Sequence, residues 1–224
     1  MMLEADQALV LSVIWLIYFL IHSLTASLVA KEWVAKRTPY LIPAYRLLFN
    51  LAALLLLLPP LALIYLWQGP WLWQWSGLLA WLANGLALLA IGGFFWSLKY
   101  YDGAEFLGLR QWRERENRLE DQERLHISPL HRYVRHPWYA LGLVIIWTRD
   151  MDGAFLVSAI MMTLYFIIGS RWEERKLIIY HGDLYHTYRQ RVPGLFPLPW
   201  RYLTREEAEQ LTALDFSVTV DGLH

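Results

Sequence analysis

The chain has 224 residues, 57% of them hydrophobic, with 13 Trp, 13 Tyr, and a formal charge of zero. That composition, with a mean hydropathy of +0.28, reads as an all-α integral membrane protein forming a single domain over 1–224. Zero net charge supplies no basic field for nucleic acid. The absence of cysteine removes disulfides, thiolate metal sites and a Cys nucleophile together.

In chain order, the first seven residues carry Glu4 and Asp6 but no Lys or Arg, so they lack the basic start of a cleaved signal peptide. Residues 8–30 contain no Asp, Glu, Lys or Arg and are long enough to span a bilayer at about 1.5 Å per residue. His22 lies deep in this run. Intramembrane ionisable groups are functional candidates, which makes His22 a candidate catalytic residue. The blander alternative is a neutral histidine hydrogen-bonded to a neighbouring helix. Residues 31–46 are basic and broken by Pro39 and Pro43. Residues 47–67 form a second uncharged run, where Pro59 and Pro60 predict a kink. Residues 68–76 read as a Gly/Pro/Trp turn with Trp67, Trp71, Trp73 and Trp75 in an aromatic belt. Residues 77–98 are the third span.

The connector 99–135 carries both signs of charge, and Arg110, Glu114 and Arg118 are spaced to pair at i,i+4. Phe106, Leu107, Leu109 and Trp112 suggest that part of it lies on the membrane surface. Residues 137–148 and 154–170 then form a close apolar pair joined by 149–153. The first of the two is short for a span and accommodates by tilt or local thinning. Beyond Ser170 the chain turns polar through Arg171-Trp172-Glu173-Glu174-Arg175-Lys176, continuing the last helix to about Gly182. A short helix follows from Asp183 to Arg191. Thr204 and Glu207 form a capping-box signature for a small terminal helix, and residues 216–224 read as frayed.

With about five spans, one side of the membrane holds 19 of the 20 Lys and Arg and the other holds Arg149 alone. The positive-inside rule then predicts an outside N-terminus and a cytoplasmic C-terminus, in a bacterial inner membrane. The expected organisation is three N-terminal spans (1–98), a cytoplasmic connector (99–135), a catalytic helical pair with a cofactor segment (136–200), and a tail (201–224).

The densest chemistry lies at 131–142. Arg135 and His136 immediately precede Pro137. A residue before proline is pushed out of the α region and proline suits a helix's first turn, so Pro137 opens a helix with Arg135 and His136 at its mouth. The positive end of a helix there suits a carboxylate or phosphate. The alternative is that Arg and His merely mark a membrane–water boundary. The histidines form no HExxH or tight ligand cluster, so no metal is expected.

Three elements together resemble the isoprenylcysteine carboxyl methyltransferase superfamily. They are Tyr133-Val134-Arg135-His136-Pro137-x-Tyr139, Glu173-Glu174-x-x-Leu177, and Gly182-x-x-Tyr185-x-x-Tyr188-x-x-x-Val192. His22-Ser23, Tyr45-Arg46-x-x-x-Asn50 and Phe106-Leu107-Gly108-Leu109-Arg110-Gln111 are similar to its methanethiol S-methyltransferase and NnrU-like branch. The pattern departs at Pro129-Leu130-His131, at His181, and at Leu141, where the usual glycine falls one residue later as Gly142.

The resemblance implies S-adenosylmethionine as cofactor and a small or lipophilic acceptor, a thiol first. Its binding would involve Tyr133, Val134, Arg135, His136, Pro137, Tyr139, Gly142, Glu173, Glu174, Tyr185 and Tyr188, with Arg135 and His22 as the catalytic candidates. Arg135 and His136 are expected to take the cofactor's carboxylate, with His136 mostly neutral at pH 7. Glu173 or Glu174 is expected at its cationic or ribose groups, and the tyrosines at adenine or near the sulfonium. The alternatives are an NADPH-dependent, sterol-reductase-like membrane reductase and a non-catalytic NnrU-like accessory protein of nitrogen-oxide metabolism. Membrane lipids are the other expected partner.

Overall fold

A computed structural model describes residues 3–115 and 125–221, with the backbone alone for 215–221. The described residues are almost wholly helical and divide into two compact units, each assembled from separate stretches of chain.

The first unit comprises residues 1–83, 101–121 and 149–163. Helix α1 (Ala5–Ala26) opens with a capping box between Glu4 and Gln7. The uncharged run predicted to reach residue 30 breaks at Ser27, whose backbone is extended. The Ser27 side chain accepts from the Ala30 amide and starts α2 (Leu28–Arg37). A hydroxyl at an N-cap satisfies an orphan amide, and that competes with continuation of α1. After a 3₁₀ turn over Pro39–Ala44, α3 (Tyr45–Leu66) runs on with Pro59 and Pro60 inside it. Helix α1 is fixed by its polar minority. Trp15 donates from Nε1 to Ser158 Oγ at 2.9 Å, fully buried, and the Tyr45 hydroxyl donates to the Thr25 carbonyl at 2.7 Å.

The segment read as a turn at 68–76 contains a short strand, β1 (Trp71–Trp73). It pairs antiparallel with β2 (Met151–Asp152). Two loops separated by many residues in sequence leave no local periodicity to reveal such a pairing. Asp150 caps it by accepting from the Trp75 amide at 2.9 Å. Two short helices, α5 (Gly103–Leu107) and α6 (Leu109–Glu114), follow Asp102. Arg110 pairs backward with Asp102 at 3.0 Å and Glu105 at 2.8 Å; Arg118, the other expected partner of Glu114, lies outside the described residues. Gly108 between these helices has φ +83°, and a Cβ there would sit 2.6 Å from the Leu47 amide nitrogen. Only glycine fits that approach. Phe106, Leu107 and Trp112 are exposed, as expected for a surface-lying element, and Asn50 holds the Phe106 carbonyl at 3.1 Å.

The second unit comprises residues 84–100, 122–148 and 164–224. It contains the end of α4 (Gly77–Ser97), α7 (Pro137–Trp147), the polar part of α8 (Gly153–Arg191) and α9 (Arg205–Asp221). Trp138 donates to Ser97 Oγ at 2.8 Å and packs edge-on to Phe94. Gly142 faces Phe166, whose ring would lie 3.3 Å from an added Cβ. Its role in the fold is therefore close helix packing. Tyr185, Tyr188, Val192, Leu125, Leu203 and Ala208 form the buried core of this unit. Helix α8 is interrupted at Gly182, with φ +53° and ψ −129°, near where the sequence placed its end. The capping box of α9 forms as expected, with Thr204 N to Glu207 Oε2 at 2.8 Å and Glu207 N to Thr204 Oγ1 at 3.2 Å.

Helices α1, α4, α8 and the continuous 39–66 segment are long and apolar enough to cross a membrane. Their large apolar side chains, including Leu16, Leu20, Leu54, Leu58, Trp81 and Leu89, are exposed. Water does not tolerate so large an apolar surface, whereas a bilayer core does. Helix α7, at 11 residues, is the short member of the expected five.

Candidate active site

The site is built where the 131–137 segment meets the end of α8. Residues 130–134 turn back on themselves, with the Tyr133 and Val134 amides donating to the Leu130 carbonyl. The next two amides leave this turn: Arg135 N donates to Pro193 O at 2.9 Å and His136 N to Gly194 O at 3.1 Å. His136 then caps α7 with a non-helical backbone, and Pro137 occupies the first turn, as Pro restricts its predecessor. Val134 and Pro137 are buried beneath this junction.

Glu174 is the hub. Its Oε1 receives Arg135 Nε at 2.9 Å, Arg135 Nη2 at 2.6 Å and His136 Nε2 at 3.1 Å. Its Oε2 lies 3.3 Å from Arg189 Nε. Burial alone would raise the Glu174 pKa, but the hydrogen bonds from His136 and Arg135 outweigh it, and the carboxyl stays below its ordinary range. Arg135 also donates from Nη1 to the carbonyls of Arg189 and Val192. All three guanidinium nitrogens are thus engaged within the protein. They tie the mouth of α7 to the C-terminal end of α8, where free carbonyls are expected.

His136 lies between two carboxylates, with Nε2 toward Glu174 at 3.1 Å and Nδ1 toward Glu173 at 3.4 Å. Burial pulls its pKa down, but the hydrogen bonds to Glu173 and Glu174 prevail and the value is raised. Both ring nitrogens face anions, which favours the imidazolium relative to a free histidine. Glu173 differs from its neighbour in being half exposed, at 49%. The Tyr139 hydroxyl approaches its Oε2 at 3.5 Å, and the Tyr139 ring stacks between His136 and Phe166.

The tyrosines divide by environment. Tyr185 and Tyr188 are fully buried in the core, and burial raises the Tyr185 phenol. The Tyr188 hydroxyl donates to the His131 carbonyl at 2.7 Å. Tyr133 is 46% exposed, stacked on Tyr202 with ring centroids 6.0 Å apart. His22 belongs to the first unit, against the rings of Tyr18 and Phe49.

Four contributors escaped the sequence reading: Arg189, His131, Phe166 and Tyr202. Arg189 carries no motif signal beyond following Tyr188. His131, held to Ser128 Oγ at 2.8 Å, looked only like a departure from a pattern. Burial lowers its pKa to about 4, so it supports the turn as a neutral ring.

The chemistry of the donor set bears on a sulfonium cofactor. A buried carboxylate neutralised by two arginines and a histidine has no charge left for a ligand. The half-exposed Glu173 beside it has, and suits a cation or vicinal hydroxyls. The exposed Tyr133–Tyr202 pair suits a flat base. These groups fit S-adenosylmethionine; Arg135, with each guanidinium nitrogen engaged within the protein, is suited to a positioning role.

Comparison with known proteins finds relatives over most of the chain. Methanethiol S-methyltransferase 2 of Bradyrhizobium diazoefficiens is 33% identical over 184 residues, covering 79% of this chain and 68% of the relative. The methanethiol S-methyltransferase of Mycobacterium tuberculosis is 30% identical over 213 residues, 88% of this chain and 81% of the relative. That of a Pseudomonas sp. is 33% identical over 156 residues, 66% of this chain, and there the match spans 55% of the relative's length. No family model matches the chain, and no solved structure matches it.

Proposed function

The chain belongs to the methanethiol S-methyltransferase family, and from that premise we propose that it moves a methyl group from S-adenosylmethionine to a small thiol in the membrane. The relatives' names do not favour the reductase or accessory-protein alternatives. The observation that carries the site assignment is the unequal pair Glu173 and Glu174. One carboxylate is buried and internally neutralised; the other is half exposed at the mouth of α7.

Bound S-adenosylmethionine would supply an electrophilic methyl on a sulfonium; as the thiol sulfur bonds to it, the sulfonium–methyl bond would break to leave S-adenosylhomocysteine, and the thiol proton would pass to water. Glu173 holds the cationic or hydroxyl-bearing part of the cofactor. Tyr133 offers a stacking face for adenine. Glu174, Arg135 and Arg189 fix the loop at 192–194, and with it the backbone lining of the site. His136, set between two carboxylates, orients Glu173 and acts as a hydrogen-bond donor; it is not the base for the thiol. Val134, Pro137 and Tyr139 shape the same mouth, and Tyr185, Tyr188 and Gly142 support it from the core and the α7–α8 contact. His22 is kept as a catalytic candidate on its chemistry alone. Methyl transfer depends on alignment and a desolvated nucleophile more than on acid–base groups, and a site that opens toward the bilayer on the acceptor side would supply that dryness.

The test is titration calorimetry of the purified protein with S-adenosylhomocysteine and, separately, NADPH, followed by turnover with a panel of thiols. Binding of the first with methylation of a thiol supports the reading. NADPH binding alone, or cofactor binding without turnover on any thiol, overturns it.

A further inference from the structure

A short apolar loop between α8 and α9 stands outside the site already described. Residues 195–200, Leu-Phe-Pro-Leu-Pro-Trp, carry no charge. Phe196 is 64% and Trp200 75% exposed, and Pro197 and Pro199 are exposed with them. In water such a run would cost free energy with no return.

The loop is not a loose strand. At its start, Pro193 and Gly194 accept from the amides of Arg135 and His136. At its end, Leu203 N donates to Arg132 O at 3.0 Å and Arg132 Nε returns a bond to Leu203 O at 2.9 Å. Its tip is a tight turn, with Arg201 N on Leu198 O at 3.0 Å. Pro199 stands at the second turn position, where its fixed φ is favoured, and Trp200 at the third. Arg201 Nη2 anchors the turn by donating to Arg189 O at 3.1 Å and Gln190 O at 2.7 Å. The loop is thus preordered, with its aromatic side chains turned outward.

Its height is set by the same bonds. Residues 135–136 immediately precede Pro137, where the apolar helix α7 begins. That junction is where this unit passes from polar chain to the apolar helix α7, and Pro193 and Gly194 are hydrogen-bonded to it. The uncharged run therefore starts level with the first turn of α7, with Arg191 and Arg201 flanking it. We propose that residues 195–200 form an interfacial anchor, with Phe196 and Trp200 seated in the phospholipid headgroup–acyl boundary beside the mouth of α7. An amphipathic Trp with flanking Arg is suited to that zone. The occupant is lipid because the loop is joined, through two backbone bonds, to the start of an apolar helix in a chain with four helices long and apolar enough to cross a membrane.

The chain has no cysteine, so single-cysteine labelling has no background. Trp200→Cys and Phe196→Cys, each in the full-length protein, would be labelled with a polarity-sensitive fluorophore and reconstituted into phosphatidylethanolamine/phosphatidylglycerol vesicles. Leu164→Cys, on an exposed apolar position of α8, and Glu209→Cys, on the polar face of α9, serve as references. The expected result is blue-shifted emission at 196 and 200 relative to 209, quenching by lipids with a shallow nitroxide, and protection from aqueous iodide. Leu164→Cys should instead respond to a deep nitroxide. Iodide quenching at 196 and 200 equal to that at 209 would overturn the proposal in favour of a solvated loop. Protection from both iodide and lipid quenchers would overturn it in favour of a protein partner. Either position suffices if the other variant fails to fold.

Discussion

Glu173 and Glu174 are adjacent and chemically identical, yet the structure gives them opposite tasks, so their isosteric variants should separate. Glu174→Gln removes the charge that compensates buried Arg135 and His136. Breaking a buried ion network in this way costs about 3–5 kcal/mol, read as a large fall in thermal unfolding temperature. Glu173→Gln should leave that temperature near wild type. It should weaken S-adenosylhomocysteine binding by about 1.5–3 kcal/mol, the worth of a charged hydrogen bond, as read by calorimetry. Equal effects of the two substitutions on stability would contradict the division. His136 and Glu174 also set the pH window. His136 is raised above its ordinary 6.5, so its contribution is complete below about that pH and is lost as pH rises through the folded value. Glu174 is depressed below 4.5, so its contribution is present above that pH and is lost as pH falls through its folded value. Stability should therefore be greatest between these limits. Thermal unfolding followed across pH should show His136→Gln losing the decline on the alkaline side while keeping the acid one.

At the scale of elements, helix α8 depends on one residue whose conformation no other L-amino acid adopts comfortably. Gly182 has φ +53° and ψ −129°, and a Cβ there would meet nothing within 4 Å. The cost of Gly182→Ala is therefore torsional, about 1–3 kcal/mol, and should appear as destabilisation of the packing around Tyr185 and Tyr188. Gly108→Ala combines positive φ with a clash against the Leu47 backbone and should be the more damaging of the two. Unfolding measurements on both variants check the order. These elements also show what the sequence could reveal. The long uncharged runs marked the helices at 5–26, 45–66, 77–97 and 153–170 because a bilayer imposes length and apolarity locally. The Thr204–Glu207 cap was legible for the same reason: it is a local motif. The break at Ser27 was hidden by continuous hydrophobicity, and the β1–β2 pairing depends on residues far apart in sequence. The arginine network was only half legible. Arg135 stood out beside His136, but its hydrogen bonds to Glu174 and to the carbonyls of Arg189 and Val192 are tertiary facts that no spacing encodes.

At the scale of the whole molecule, the uneven distribution of Lys and Arg leads us to propose an outside N-terminus and an inside C-terminus. Reporter fusions after residues 40, 72, 120, 151 and 224 should then alternate inside, outside, inside, outside, inside; an inside signal at 72 would refute the arrangement. That arrangement would put Glu173 on the side where a soluble cofactor is made, while a lipophilic thiol arrives through the bilayer. The central claim concerns transfer itself and is tested most directly by one measurement. Purified protein in vesicles is given methyl-labelled S-adenosylmethionine and methanethiol, and labelled thioether is followed alongside the Glu173→Gln variant. The account predicts labelled dimethyl sulfide from the wild type and, at subsaturating cofactor, a much slower yield from the variant. Absence of labelled thioether from a folded wild type that binds S-adenosylhomocysteine, or an unchanged yield from Glu173→Gln, would contradict it.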